Sequence, residues 1–511
     1  MTGARRGGLA AALLAAAACG ARTEPTTLPG LEEGVRPSVV LILVEDADVA
    51  AVQYMPHLRS QVTSRGLTFT NAFATTPAAT PSRVSVLTGR YAHGHGVLGN
   101  RAPMGSFRRW QTDAGEQDSL ATWLQAAGYR TAMIGRYLDA YPRPRDPEYT
   151  PPGWDVWHGL FSPERYLGFK LNEGGEVREY GPEAYQSDVL GERATGFLDA
   201  LRPGQRFFLQ LSFAAPASPS TPAGRHAELF PDLQAPRGEA FDEADVSDKP
   251  AWLRERPLLG AAAVAGVDER FRARVLSLQA VDEAIAAVVG TLRARGRLED
   301  TYVVFSAAHG FPNGAHRLAG VAGEPYDPTL RVPLVLRGPG LPENRQLPQL
   351  ALNIDLAPTV AELCGLAPRP GFDGASLVPL LGAEAEPVEG WRRDFLVEHW
   401  DRESDGVPQY AALRSAKQLY VEYADEAVEL YDLTADPEQL ANAAGDADAA
   451  RLEAARARLA ELRECSGEAC RTLPPETEED AETAPDIPPG AAVPVDPEES
   501  PAPVGAGPRR E

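Results

Sequence analysis

Basic residues are scarce in this chain of 511 residues, which has 49 lysines and arginines against 72 aspartates and glutamates. The formal net charge at pH 7 is −23. A protein that binds nucleic acid needs a positively charged surface to neutralise the phosphates. We therefore expect no nucleic-acid partner. Part of the negative charge lies in the C-terminal tail, so the folded body is less acidic than the whole chain.

A long apolar run is missing from the N-terminus, where the run over residues 9–18 is too short to cross a bilayer. Residues 1–19 instead have the arrangement of a secretory signal, with two arginines before the apolar run. The sequence AAACG at residues 16–20 is similar to a bacterial lipobox, in which Cys19 is lipidated and becomes the new N-terminus. The alternative is an ordinary cleaved signal with an incidental cysteine. We predict an exported lipoprotein, periplasmic or on the cell surface, that is anchored in the membrane through Cys19.

Cysteine and histidine are both rare, with four and eight residues. Export permits disulfide bonds, and the spacing of Cys465 and Cys470 allows them to close a small loop after a helix. Cys364 lies in an apolar helical stretch and is predicted to be a buried apolar side chain. No metal or catalytic role is expected for these three cysteines. His93 and His95 are a candidate metal pair, but their place in a loop favours a surface turn.

Strands alternate with helices along residues 37–388, which predicts a doubly wound α/β domain. The first strand is a continuous β-branched run that suits burial on both faces of a parallel sheet. Strands are predicted at residues 39–44, 67–70, 130–134, 207–213, 302–305 and 332–336, and helices at residues 55–65, 120–127, 185–201 and 268–295. No internal repeat is present.

The pattern changes after this domain. Residues 389–471 contain short strands joined by short turns and then an amphipathic helix, which predicts a small antiparallel subdomain. Residues 20–36 are polar and predict a linker. Residues 472–511 are acidic, rich in proline and nearly free of large apolar side chains, so we predict a disordered tail.

A distinctive sequence lies at residues 79–91, Ala-Thr-Pro-Ser-Arg followed by Val-Ser-Val-Leu-Thr-Gly-Arg-Tyr. It resembles the sulfatase signature, which is Cys or Ser, any residue, Pro, any residue and Arg, followed by a helix with Leu-Thr-Gly-Arg or Leu-Thr-Gly-Lys. Further blocks similar to that family occur in order at residues 134–138, 331–340, 353–359, 429–438 and 465–471. The resemblance spans nearly all of residues 37–471 and points to the arylsulfatase branch that includes N-acetylglucosamine-6-sulfatase.

This resemblance implies the fold of the alkaline phosphatase superfamily. That fold is a large, mixed but mostly parallel sheet sandwiched by helices, with a small C-terminal antiparallel sheet and a helix. The resemblance also implies a calcium ion beside a formylglycine, which forms by oxidation of the first signature residue and whose hydrate attacks sulfur. It implies hydrolysis of sulfate esters of saccharides or aryl groups, and hence a sulfated saccharide or another anionic small ligand as partner.

Two positions that the resemblance assigns to this chemistry are alanine. Ala79 occupies the nucleophile position, and alanine has neither an oxygen nor an oxidisable sulfur, so formylglycine cannot form there. Glu45 and Asp46 match the paired carboxylate ligands of calcium. The third carboxylate position is Ala308, and His309 follows at a neighbouring ligand position. We therefore expect calcium binding to be weakened or lost.

The basic residues of the implied site are also reduced. Arg83 is retained, and Arg136 replaces a lysine, which keeps the charge but not the same reach. Ala217 replaces a histidine, and a second lysine position falls near Ala322. The alternative is that the surviving residues Arg83, Asp46 and His309 have only structural roles, because a site that has lost its other members no longer constrains them.

We interpret the chain as a sulfatase-family protein whose hydrolytic activity is impaired or lost. One alternative is a binding module in which Arg83, Arg136 and His309 hold a sulfated or phosphorylated glycan without cutting it. A second is an active hydrolase that uses Thr80 or another nucleophile, although Thr80 lies one residue later in the signature. A third is a scaffold protein whose acidic tail contacts a partner.

Overall fold

The structure, a computed structural model, describes residues 36–112, 115–320, 322–382, 388, 390–400 and 406–473. The predicted signal with Cys19 lies outside the described residues, as do nearly all of the predicted linker and acidic tail. The described residues form two adjoining units, each built on one β-sheet.

Ten strands form the large sheet. They are β1 (Ser38–Val44), β2 (Leu67–Phe73), β3 (Arg130–Gly135), β4 (Val156–Leu160), β5 (Lys170–Glu173), β6 (Val177–Glu179), β7 (Phe207–Ser212), β8 (Thr301–Ala307), β9 (Leu334–Arg337) and β10 (Arg345–Leu352). Their order across the sheet is β10-β2-β9-β8-β1-β7-β3-β4-β5-β6. The central strands β8, β1, β7, β3 and β4 run parallel, whereas β9, β5 and β6 pair antiparallel with their neighbours. The predicted mixed, mostly parallel sheet is confirmed.

Helices accompany this sheet. They are α1 (Val49–Val52), α2 (Pro56–Gln61), α3 (Ala79–Thr88), α4 (Ala92–His95), α5 (Ser106–Thr112), α6 (Leu120–Ala126), α7 (Gln186–Asp199), α8 (Ala251–Arg254), α9 (Ala261–Ala294), α10 (Asp327–Leu330) and α11 (Leu356–Leu363). The longest, α9, is long and apolar enough to cross a bilayer, but 72% of its most apolar window is buried inside the fold. It packs against α7 and α2, as a core helix does.

The parallel centre of the sheet decides where a site can form. All seven residues of β1 are buried, which matches its apolar sequence because both faces of the sheet are covered. Leu43 of β1 lies opposite Ser212 of β7, and Val44 lies opposite Ala307 of β8. Gly135 of β3 lies opposite Ser212 as well. The residues that follow β1, β3, β7 and β8 therefore meet at one edge, where open α/β sheets bind ligands.

The second unit is a four-stranded antiparallel sheet with one long helix. Its elements are β11 (Asp394–His399), β12 (Tyr410–Ser415), β13 (Gln418–Tyr423), β14 (Val428–Asp432) and α12 (Ala449–Arg463). An apolar cluster and ion pairs join it to the large unit. The rings of Phe73 and Phe395 lie 5.1 Å apart, and Nε of Arg414 donates to Oδ1 of Asp327 at 3.0 Å.

Several elements differ from the sequence-based expectation. The helix predicted at residues 55–65 is α2 followed by a short 3-10 helix at Thr63–Arg65. Helix α9 begins at Ala261 rather than near residue 268. Strands β4, β5, β6 and β10 were not predicted. The first three are short or carry polar residues, and β10 contains Pro348 and shifts register between Leu347 and Leu350.

Candidate functional site

The candidate site lies at the carboxyl edge of the central strands and is built around Glu45. Glu45 follows β1, and its backbone N–H donates to the carbonyl of Ala215 in the loop after β7 at 3.1 Å. Its side chain is 2% exposed. Helix α3 begins at Ala79 and is buried at all ten residues, so it carries Arg83 beneath the same edge. Burying a carboxylate and a guanidinium together requires that they pair.

Arg83 and Arg136 converge on one oxygen of Glu45. Nε and Nη2 of Arg83 donate to Oε2 of Glu45 at 2.9 and 2.7 Å. Nε of Arg136 lies 3.0 Å from the same oxygen, as an ion pair outside hydrogen-bond geometry. Nη1 of Arg83 also donates to the hydroxyl of Ser212. Burial raises the pKa of Glu45, but the charges of Arg136, Arg83 and His309 outweigh it and hold that pKa below its ordinary value.

Arg136 also pairs with two further carboxylates. Nη2 of Arg136 lies 3.0 Å from Oδ1 of Asp139, and Nη1 lies 3.2 Å from Oε2 of Glu164. Burial lowers the pKa of Arg136, but the charges of Glu164, Glu45 and Asp139 outweigh this effect and hold the pKa above its ordinary value. Burial raises the pKa of Glu164 despite the neighbouring guanidinium. The guanidinium of Arg136 is therefore surrounded by three carboxylates of the protein itself.

His309 lies on the other side of Glu45. Its Nδ1 is 2.9 Å from the carbonyl oxygen of Gly310. Its Nε2 is 3.3 Å from Oδ1 of Asp46 and 3.7 Å from Oε1 of Glu45. Oε1 of Glu45 is buried and accepts no hydrogen bond from any residue that the structure describes. Burial raises the pKa of Asp46, with His309 opposing and Glu45 adding to the rise.

The backbone of Asp46 is held in an unusual conformation, with φ of 43°. Its carbonyl oxygen accepts a hydrogen bond from Nη2 of Arg274. The same guanidinium pairs with Oδ2 of Asp48 at 2.6 Å and donates to Oδ1 of Asn313 at 2.7 Å. Arg274 thus holds the backbone of the turn after β1, beside the carboxylate of Asp46 that faces His309.

Two further alanine positions of the implied site, Ala308 and Ala217, make backbone hydrogen bonds. The N–H of Ala308 donates to the carbonyl of Val44 at 3.0 Å, and its own carbonyl accepts from the hydroxyl of Ser82 at 2.5 Å. The carbonyl of Ala217 accepts from the hydroxyl of Tyr166 at 2.6 Å. These residues, like Ala79, bring no side-chain oxygen or nitrogen to the site.

Thr80 is buried, and its hydroxyl group both donates and accepts a hydrogen bond. Oγ1 donates to Oδ2 of Asp139 at 2.6 Å and accepts from the backbone N–H of Asp139 at 3.1 Å. The N–H of Thr80 donates to Oδ1 of Asn100 at 2.8 Å. The residue is 0% exposed, so its hydroxyl group faces the protein and has no open path to a substrate. Thr80 therefore has the contacts of a structural residue.

His93 and His95 do not form a metal pair. Nδ1 of His93 lies 2.9 Å from Oε1 of Glu398, and its Nε2 lies 2.9 Å from the carbonyl oxygen of Cys465. Nε2 of His95 contacts the hydroxyl of Ser85 at 3.1 Å. The structure also places Cys465 and Cys470 in a disulfide bond and leaves Cys364 as a buried free thiol. His93 therefore links the region after α3 to the C-terminal unit.

Sequence reasoning missed several members of the site. Asp139 lies three residues after Arg136 and directly follows the block at residues 134–138, and that short spacing was the available signal. Glu164, Ser212 and Arg274 belong to a loop, a strand end and a helix with no motif of their own, and their roles depend on the packing of distant elements.

The donor set does not fit calcium. Within the described part of the chain, Glu45, Asp46 and His309 are the acidic or histidine residues that bring three ligand atoms within 4.8 Å of one another. Calcium takes six to eight oxygen ligands. Here Oε2 of Glu45 is engaged by two guanidinium groups, one of the three ligands is a nitrogen, and Ala308 offers no side-chain oxygen.

Comparison with known proteins agrees with the signature. The family model described as Sulfatase matches residues 37–366, and the model described as N-sulphoglucosamine sulphohydrolase, C-terminal, matches residues 325–465. The chain is 31% identical over 479 residues to N-acetylglucosamine-6-sulfatase of Homo sapiens, covering 86% of each chain. The chain belongs to the sulfatase family. It is also 32% identical to an arylsulfatase of Volvox carteri over 497 residues, covering 85% of this chain and 76% of that protein.

Solved structures of the sulfatase fold superpose on this chain. One is a protein in complex with its substrate D-glucosamine-2-N,6-O-disulfate, with a TM-score of 0.72, 22% identity and coverage of 84% of this chain and 98% of that one. Another is a protein of Bacteroides fragilis, with a TM-score of 0.69, 21% identity and coverage of 85% of this chain and 96% of that one. Relatives of this sulfatase-family chain also include proteins of Caenorhabditis elegans and Drosophila melanogaster named extracellular sulfatases.

Proposed function

We propose that this sulfatase-family protein does not hydrolyse sulfate esters. The observation that carries the proposal is Ala79, a residue with no nucleophilic atom at the first position of the signature. Attack on a sulfate ester needs an activated oxygen nucleophile, and a cation is needed to neutralise the sulfate oxygens. Ala308 removes a metal carboxylate as well. The two losses act on separate requirements of the reaction, because one concerns the attacking atom and the other a ligand of the calcium ion.

The pairing of the guanidinium groups supports the same conclusion. In an anion-binding site, Arg83 and Arg136 would direct N–H groups at the ligand. Here Arg83 is committed to Glu45, and Arg136 to Glu45, Asp139 and Glu164. A sulfate group would have to displace carboxylates that the fold already holds in place. This arrangement weighs against the alternative of a binding module for sulfated or phosphorylated glycans.

The active alternative through Thr80 has equally little support. Its hydroxyl group is 0% exposed and hydrogen-bonded to Asp139, whereas a nucleophile must reach substrate. The test is turnover of an aryl sulfate and of glucosamine 6-sulfate by purified wild type and the Thr80→Val variant. We expect no sulfate release from either protein. Release by wild type that the substitution abolishes would establish a threonine nucleophile and overturn the proposal.

A gain-of-function experiment distinguishes a site that lacks only its nucleophile from one that has also lost its metal and acid–base residues. Ala79→Cys recreates the signature Cys-Thr-Pro-Ser-Arg, and co-expression with a formylglycine-generating enzyme supplies the oxidation. Mass spectrometry of the tryptic peptide establishes whether the aldehyde has formed. We expect the aldehyde to form without sulfate release, since the metal and acid–base positions remain Ala308 and Ala217. Turnover by this single variant would show that the rest of the site is competent, so Ala79 alone would account for the absence of hydrolysis and the inference of a second loss at Ala308 would be wrong.

We also infer that calcium is not a resident cofactor, because three mixed ligands fall short of its oxygen shell. Calorimetric titration with calcium should give no saturable heat at micromolar concentrations. A micromolar dissociation constant would contradict this inference.

We propose that the chain is exported and lipidated at Cys19. The support is the lipobox-like sequence at residues 16–20 and the extracellular sulfatases among its relatives. Labelling of cells with a palmitate analogue should mark wild type but not the Cys19→Ser variant. Equal labelling of the two proteins, or none of the wild type, would contradict lipidation.

A further inference from the structure

The buried oxygen Oε1 of Glu45 has no hydrogen-bond donor among the described residues, and the absence of a fitting calcium site leaves it without an explanation. The side chain of Glu45 is 2% exposed. A buried carboxylate oxygen without a donor is costly. The two arginines next to Glu45 do not relieve it, because both approach the other oxygen, Oε2. Oε1 instead faces Nε2 of His309 at 3.7 Å.

The orientation of His309 adds a second, independent indication. Its Nδ1 lies 2.9 Å from the carbonyl oxygen of Gly310. A carbonyl oxygen only accepts hydrogen bonds, so Nδ1 carries the hydrogen. In the neutral ring Nε2 is then the acceptor nitrogen, and its lone pair faces the carboxylates of Asp46 and Glu45. A histidine that ligates a metal characteristically donates its other N–H to a carbonyl or carboxylate in this way.

The distances among these atoms suit a small ion. Nε2 of His309 is 3.3 Å from Oδ1 of Asp46 and 3.7 Å from Oε1 of Glu45. Ligands bound tetrahedrally at about 2.0–2.2 Å lie roughly 3.3–3.6 Å from one another. One nitrogen and two carboxylate oxygens form a set that divalent transition metals accept and that calcium and magnesium disfavour.

The local charge favours a cation as well. The cluster contains four carboxylates, those of Glu45, Asp46, Asp139 and Glu164, and two guanidinium groups, those of Arg83 and Arg136. Arg274 does not change this balance, because it pairs with its own carboxylate, that of Asp48. A divalent ion would therefore balance the formal charge of the cluster.

We propose that Glu45, Asp46 and His309 bind a divalent transition metal ion of the zinc class, with the two carboxylates and Nε2 as its protein ligands. The ion replaces the calcium that the family's fold implies. Asp46, with a side chain 20% exposed, lies on the solvent side and gives the ion a route in. The proposal is independent of the absence of hydrolysis, since metal binding is measured without any substrate.

The test uses the full mature chain without an affinity tag, freed of metal by a chelator and dialysis. Cobalt(II) is the first probe, because its visible absorption reports coordination directly. Zinc, manganese and calcium then follow by calorimetry and by competition with bound cobalt. We expect one cobalt ion per chain, displaced by zinc, and an affinity for zinc at least 100-fold above that for calcium. No saturable cobalt or zinc binding, or calcium binding as tight as zinc binding, would overturn the proposal.

Variants assign the ligands. His309→Ala and Glu45→Gln should each weaken zinc binding by at least tenfold and change the cobalt spectrum. Glu164→Gln is the matched control, because Glu164 contacts the same Arg136 but is not one of the three ligands. It removes one charge of the cluster and no ligand, so it should weaken zinc binding less than either ligand variant and leave the cobalt spectrum unchanged. Circular dichroism identifies a variant that fails to fold, and His309→Ala decides the result if Glu45→Gln does so. Unchanged zinc binding by His309→Ala would overturn the proposal and place the ion elsewhere, for example on the acidic tail.

Discussion

His93 makes the stability of this protein depend on pH in a direction that the structure determines. Its two ring nitrogens each face an acceptor, the carboxylate of Glu398 and the carbonyl of Cys465, both at 2.9 Å. An imidazolium donates from both nitrogens, whereas a neutral ring donates from one. Burial lowers the pKa of His93, but these hydrogen bonds and the charge of Glu398 raise it to about 9.

The magnitude follows from this shift. A rise from 6.5 to about 9 corresponds to about 3 kcal/mol at 1.36 kcal/mol per pKa unit. The side chain of His93 is 18% exposed, and solvent screening reduces this to about 1–2 kcal/mol. Because the folded-state pKa is the higher one, the contribution is fully present below about pH 6.5 and is lost as the pH rises through about 9.

Urea denaturation of wild type and the His93→Gln variant over about pH 6 to 10 measures this effect. Glutamine keeps a donor for Glu398 but has no titratable group. The difference in unfolding free energy should therefore shrink by about 1–2 kcal/mol towards high pH. His95 is the matched control, because burial lowers its pKa to about 3 and its contribution is lost as the pH falls. His95→Gln should show no such decline at high pH. A difference for His93→Gln that stays constant or grows with pH would refute the reasoning.

Three further predictions concern the site and its supports. Glu45→Gln should destabilise the protein by about 3–5 kcal/mol, because it leaves two buried guanidinium groups without a full counter-charge. Glu164→Gln removes only one of the three carboxylates around Arg136 and should cost less. Equal losses of unfolding free energy in urea denaturation would contradict this. Removing the disulfide with Cys465→Ser and Cys470→Ser should cost about 2 kcal/mol, since the bond closes a short loop, and an unchanged melting temperature would be inconsistent with that estimate. Thr80→Val should cost about 1–3 kcal/mol by leaving a partly buried aspartate oxygen without its donor, and a neutral effect in thermal unfolding would argue against a structural role.

Most of the central sheet could be predicted from the sequence because its strands are mainly apolar runs. The runs that became β1, β7 and β8 are buried at every residue, and burial on both faces selects mainly apolar residues. Edge strands carry no such signal. Strand β6 is three residues long and has no buried residue, so its sequence resembles that of a loop.

The central residues of the candidate site could be predicted from the sequence, but neither their supporting residues nor their pairing could. Glu45, Arg83 and Arg136 belong to sequence motifs and could be named from them. That both arginines contact the same oxygen of Glu45 depends on β1, α3 and β3 packing at one edge. The same three residues are equally compatible with a site whose arginines bind an anion. Their identity alone therefore does not distinguish an anion site from one in which the arginines pair with Glu45.

The sequence by itself determined what chemistry is absent. The side chain of Ala79 has no atom that can attack, and the side chain of Ala308 has none that can ligate, whatever the surrounding structure. Only the tertiary structure decided where the surviving charges point. It turned Arg136 towards Glu45, Asp139 and Glu164, and it left one oxygen of Glu45 facing His309. The physical reason is that a side chain's composition fixes its reactivity, whereas its partners are set by which distant segments the fold buries against it.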